Sequence, residues 1–272
     1  MAKPLSSVSR VFTISRGLFA PGDRIGLVPT LRVEPGELLD TVTGARHSLH
    51  EQAQPAMDLL APGIGAEEWI VRLLHQGADP VRISQMVEFI NTIGGFQVQR
   101  AWYVRAPHAL HQLASFVIGF RPLTLGRRYP ATLLGFFSAA GRALKPVLLA
   151  VPVAAALWYG AGADEVAVVA LTGALALWFS VAMHEYAHTL PLKANHRVIF
   201  QRGLRLGILH RRGRIRQEVI SALAGPVAGA AVALAIAPNP AGWFLAVVHL
   251  SSLLPVHSDG RAMYLSIRSA RT

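Results

Sequence analysis

Four apolar runs dominate the second half of the chain, at 146–163, 166–183, 219–237 and 241–256, and none contains Lys, Arg, Asp or Glu. Each approaches the roughly 20 residues needed to cross a hydrocarbon core, the first and last near the short limit. The pattern predicts about four transmembrane helices. The first half reads differently: short segments at 24–28 and 31–33 predict strands, and the periodicity at 48–60, 66–76 and 80–93 predicts helices. Glu67 and Glu68 in a first turn, Asp79-Pro80 before Val81, and Gly94-Gly95 after Ile93 mark helix starts and stops. Residues 1–105 are expected to form a small, soluble α+β domain, winged-helix-like, for recognition or regulation. Residues 106–145, interrupted by Pro107, Pro122 and Pro130, read as a connector with a short interfacial helix at 131–140. The membrane core follows at 146–260 and a basic tail at 261–272.

Composition agrees with this division. Mean hydropathy is +0.39, and 15% of residues are charged, against roughly a quarter in soluble domains. The fold class expected is therefore an α-helical polytopic membrane protein with a small N-terminal α+β domain. The net charge of +11 lies largely between the apolar runs, which marks the cytoplasmic side of a membrane protein and gives no reason to expect nucleic acid. With no cysteine in the chain, disulfides and thiolate ligands are excluded, so a zinc site must use His and carboxylate.

The end of the second run carries His184-Glu185-Tyr186-Ala187-His188. On a helix the two histidines, four residues apart, share a face and can hold one Zn²⁺, while Glu185 can take a proton from water at the metal. The loop at 191–216 has eight Lys/Arg and no acid, whereas Asp164-Glu165 and Pro238-Asn239-Pro240 lie at the opposite ends of the runs. The positive-inside rule then places this loop, both termini, and Arg261, Arg268 and Arg271 in the cytoplasm. The segment 1–15 lacks the apolar core of a signal peptide. In this topology His184, His188 and Asp259 arrive at one depth, giving three ligands and an open position for water, as in a catalytic zinc site.

These residues resemble the site-2 protease family of intramembrane metalloproteases over about a third of the chain, roughly 171–260. Three elements appear in order: His184-Glu185-Tyr186-Ala187-His188, Leu223-Ala224-Gly225-Pro226, and Leu253-Leu254-Pro255-Val256-His257-Ser258-Asp259-Gly260. The resemblance implies one Zn²⁺ per chain on His184, His188 and Asp259, with Glu185 as general base. It also implies that the segments Val198-Ile199-Phe200 and Leu204-Arg205-Leu206-Gly207-Ile208 form a β segment whose edge receives an extended substrate. Ser252 stands where the family usually has Asn. The stretch Leu39-Asp40-Thr41-Val42-Thr43-Gly44, with the helices through Ile93, resembles peptide-binding winged-helix domains of the pyrroloquinoline-quinone peptide-chaperone type, which implies docking of a leader or substrate peptide.

Ser252, His249, Gly225 and Pro226 are candidates for substrate contact; His249 qualifies because an ionisable group inside an apolar run is a functional candidate. His257 reads as a solvated loop residue, a partner of a ligand, or an alternative ligand. His196 and His210 are expected to be exposed, and Ser221, Ala222, Ala224 and Gly225 to serve close helix packing. The function expected is an integral-membrane zinc endopeptidase that hydrolyses a peptide or transmembrane protein substrate near the cytoplasmic leaflet of the bilayer. The alternative is a catalytically silent membrane adaptor that binds a peptide through its N-terminal domain. The intact Glu185 argues against that alternative. A metal transporter would place polar residues along several runs, and the first and third have almost none.

Overall fold

A computed structural model describes residues 7–60, 63–192, 197–211 and 214–269. The chain divides into two compact units, Met1–Arg128 and Tyr129–Thr272.

The first unit begins with helix α1 (Ser7–Ile14), followed by strands β1 (Arg24–Leu27), β2 (Leu31–Glu34), β3 (Glu37–Asp40) and β4 (Arg46–Ser48). A 3₁₀ turn at Glu51–Ala53 leads into α2 (Gln54–Asp58), then β5 (Ile64–Gly65), α3 (Ala66–His75), α4 (Pro80–Thr92), β6 (Phe96–Gln99) and α5 (Trp102–Val117). Strand β1 lies between β5 and β6, and β3 lies between β2 and β4, all antiparallel. The strands expected at 24–28 and 31–33 and the helices expected at 66–76 and 80–93 are present, whereas the helix expected over 48–60 is confined to the 3₁₀ turn and the five-residue α2. Helix α4 starts as its sequence indicates, the Asp79 carboxylate accepting the Val81 N–H at 3.0 Å. Gly94, at φ 65°, ends it in a conformation that favours glycine. Trp69 and Ile70 of α3 and Ile83, Val87 and Ile90 of α4 form the core with Ile25 and Phe96. Helix α5 occupies much of the stretch expected to be a connector.

Arg128 makes the buried polar anchor of this unit. It lies 2.9 Å from Asp40, with both side chains 4% exposed, and also donates to the Ile93 carbonyl and Thr30 Oγ1. Burial works to raise the Asp40 carboxyl, yet the Arg128 hydrogen bond and charge hold it below its ordinary value.

Strand β7 (Gly126–Pro130) carries the chain into the second unit, which contains α6 (Leu133–Ala143), α7 (Lys145–Gly160), α8 (Asp164–Thr189), β8 (Arg197–Arg202), β9 (Arg205–His210), α9 (Ile215–Ile236), α10 (Pro240–Ser251) and α11 (Ser258–Ser269). Strands β8 and β9 form an antiparallel hairpin, with β7 on the other side of β8. Its two-residue turn is Gly203-Leu204, and Gly203 sits at φ 58°, where a tight hairpin turn favours glycine. Phe136, Ala139 and Ala140 of α6 bury against Ala182 of α8 and Ile199 of β8, so the small helix expected at the interface turns these side chains toward protein.

Two helices, α8 and α9, are long and apolar enough to cross a membrane. The first and fourth apolar runs form shorter helices. Helices α6 and α7 together meet the same criterion but bend by 67° at their junction. Helix α10 has 12 residues, about 18 Å, well short of a roughly 30 Å core. Its end tightens, the Ser252, Leu253 and Leu254 N–H groups each bonding three residues back, and Pro255, without an N–H, cannot resume the helix. The chain folds back there, and the Gly260 N–H reaches the Ser252 carbonyl at 3.0 Å.

Candidate metal centre

The C-terminal end of α8 brings His184 and His188 onto one face, with Nε2 atoms 3.1 Å apart. From α11, Asp259 Oδ2 lies 3.3 Å from His184 Nε2 and 3.7 Å from His188 Nε2. Among the described residues these three form the group able to hold a metal ion. Tetrahedral zinc with bonds of 2.0–2.1 Å sets its ligand atoms about 3.3 Å apart. The donor set fits that geometry.

The second nitrogen of each ring supports the same conclusion. His188 Nδ1 is 2.6 Å from the Ser221 carbonyl, which can only accept, so the proton sits on Nδ1 and Nε2 presents its lone pair toward Asp259. Ser221 Oγ in turn donates to the His188 carbonyl at 2.6 Å. His184 Nδ1 lies 3.1 Å from His249 Nδ1, and His249 Nε2 lies 3.0 Å from Ser180 Oγ. The Ser180 hydroxyl donates to the Leu177 carbonyl, so its oxygen accepts from His249 Nε2–H. His249 Nδ1 then accepts from His184 Nδ1–H. Each link fixes the next, and the chain leaves His184 Nε2 free of a proton, the form a metal requires.

Close approach explains three glycines. A Cβ at Gly225 would overlap the His188 ring, and one at Gly229 would lie 2.7 Å from His249 Nδ1. Helix α9 therefore offers two bare positions, one turn apart, to two imidazoles. A Cβ at Gly260 would overlap the carbonyls of Leu253 and Leu254, so the fold-back that delivers Asp259 needs glycine after it. Arg197, at the start of β8, donates to the Thr189 carbonyl at the end of α8, capping the helix that carries the histidines.

The remaining candidates are distributed as follows. Glu185 is half-buried and adjoins His184 on the helix. His249 is buried behind His184, with both ring nitrogens engaged by α8. Gly225 and Pro226 are buried in α9; Gly225 faces His188, and Pro226 leaves the Ala222 carbonyl without its helical N–H partner. Ser252 donates its hydroxyl to the His249 carbonyl at 2.8 Å. His257 is exposed and stands outside the metal-holding group. His210 is half-buried, with Nε2 3.8 Å from the Glu218 carboxylate, whereas His196 lies outside the described residues.

Ser180, Ser221, Gly229 and Arg197 were not visible as site residues from sequence. The spacing did carry a signal: Ser180 precedes His184 by four residues, and Ser221, Gly225 and Gly229 follow one another at intervals of four, so each set shares a helix face. Comparison with known protein families, curated proteins and solved structures finds no match.

Proposed function

We propose that the chain is a multi-pass membrane zinc endopeptidase of site-2 protease type. The observation that carries this reading is the convergence of His184, His188 and Asp259, with Glu185 beside the first ligand, at one end of an apolar 26-residue helix. In this reading α8 and α9 span the bilayer, the bent α6–α7 pair and the short α10 complete the bundle, and the charged loop and both termini face the cytoplasm.

Zinc held by the three ligands would acidify water and polarise the scissile carbonyl. Glu185 takes the proton of the attacking water and returns it to the leaving amine. The Ser221 carbonyl and the His249–Ser180 pair keep both imidazoles oriented and unprotonated at Nε2. A helical substrate has its peptide groups internally bonded, so it must unwind first. The outer edge of β9 can receive the extended segment by strand addition. The first unit, with its small sheets and no metal-holding group among its described residues, docks the peptide.

The test uses wild-type protein in vesicles with a library of membrane-spanning peptides, in ¹⁸O-labelled water. New carboxyl termini carrying ¹⁸O, abolished by chelation and restored by zinc, support the reading. Bound metal without any new terminus favours the silent adaptor.

A further inference from the structure

Helix α5 turns its polar side toward the protein and its apolar side outward. His108 and Ser115 are its buried residues, and between them Gln112 donates to the Gly17 carbonyl at 2.6 Å. At 100° per residue, Ala106, Leu110, Leu113 and Val117 fall on the side opposite His108. Leu110, Leu113 and Val117 are 67%, 61% and 77% exposed, with Trp102 and Tyr103 exposed at the N-terminal end. Arg105 is the one charged residue in the helix and stands on its flank. A contiguous apolar face of this kind on a soluble surface marks something that covers it.

The surroundings indicate what covers it. No Asp or Glu occurs from 89 to 163, a stretch containing seven Lys/Arg. Arg100 and Arg128 pair with Asp23 and Asp40, while Arg105 and Arg121 are exposed at either end of the helix. Tyr129 opens the unit with the apolar spans shortly after α5 ends. The face is convex and offers no strand edge to a peptide, whereas a lipid surface requires only apolar area, aromatic anchors and flanking cations.

We propose that α5 lies in the plane of an anionic bilayer surface, with Leu110, Leu113 and Val117 in the acyl boundary and Arg105 and Arg121 at the headgroups. This rests on the reading that the second unit spans a bilayer, so the test includes a reference on α8. Because the chain has no cysteine, single spin labels can be placed at Leu113→Cys, Val117→Cys, Arg105→Cys and the exposed Val168→Cys. The full chain is reconstituted in vesicles of phosphatidylcholine and phosphatidylglycerol. Collisions with oxygen, which partitions into lipid, and with a water-soluble nickel chelate are then compared.

Labels at 113 and 117 should collide more with oxygen than with nickel, as at 168, at a depth about 5–10 Å below the phosphates. The label at 105 should show the reverse. Lipid-like collisions at 168 with nickel access at 113 and 117 overturn the proposal and leave the spanning reading intact. Shielding of 113 and 117 from both reagents also overturns it; dipolar broadening that grows with protein density would identify a second copy as the cover. Water-like collisions at 168 remove the spanning reading and the proposal together.

Discussion

His249 Nδ1 lies 3.1 Å from His184 Nδ1, tying the imidazole of an apolar helix to the outer nitrogen of a metal-ligand candidate. Removing this partner leaves the Asp259-facing side of the ring untouched but frees its rotation and tautomer. His249→Ala should therefore weaken zinc affinity about 10–100-fold, read by competition with a chelating dye. His249→Gln can still accept from His184 and donate to Ser180, and should recover part of the loss. Equal zinc affinity in wild type and His249→Ala contradicts the positioning role.

Asp259 and His257 divide cleanly. Asp259→Ala should reduce the zinc content of purified protein, because the two remaining imidazoles lose the carboxylate that completes the set. His257→Ala should retain about one zinc per chain, since its side chain is exposed outside the group. Retention in the first variant and loss in the second would move the third ligand to His257.

The two ends of α8 give a topological prediction. Cysteine at Ala161, in the exposed turn before α8, should react with an impermeant thiol reagent added outside intact cells; cysteine at Leu204, in the β8–β9 turn, should react only after permeabilisation. Labelling of Leu204→Cys from outside would place the metal centre on the other face of the membrane.

The first unit should lose stability in mild acid. Burial, then the Arg100 charge, pushes His108 down to about 4, with His111 adding to the effect and Asp23 opposing it. A folded-state pKa below the ordinary value of about 6.5 means that the unfolded chain binds the proton more readily between those values. Stability is complete above pH 6.5 and falls as pH drops toward 4, by roughly 3 kcal/mol in all. The urea midpoint of this unit in the full chain, followed by near-ultraviolet circular dichroism, should drop between pH 7.5 and 4.5. In His108→Leu it should drop less. Identical pH dependence in the two proteins would remove His108 as the cause.

The parts of this protein that sequence made legible are those fixed by local pattern. Asp79 capping α4, Gly94 ending it, and the apolar lengths of α8 and α9 follow from spacing and composition. The histidines of α8 were legible because one helix turn brings them together. Asp259 was reachable only through topology, since 70 residues and two helices separate it from His188. The first and fourth runs form helices of 16 and 12 residues, shorter than the runs themselves, because a run free of charge does not record where the chain turns: the fold-back that carries Gly260 to Ser252 begins inside the fourth run. Ser221 reads from sequence as a packing residue and Gly229 carries no reading there; only the approach of Ser221 to His188 and of Gly229 to His249 separates packing from support of a ligand.

Glu185→Gln tests the central claim most directly, with zinc content and peptide cleavage measured on the same reconstituted samples. The amide keeps the size of the carboxylate but cannot accept the water proton, while His184, His188 and Asp259 remain. The account predicts zinc at the wild-type level and cleavage reduced at least about 100-fold. Cleavage at the wild-type rate by the zinc-loaded variant would contradict it.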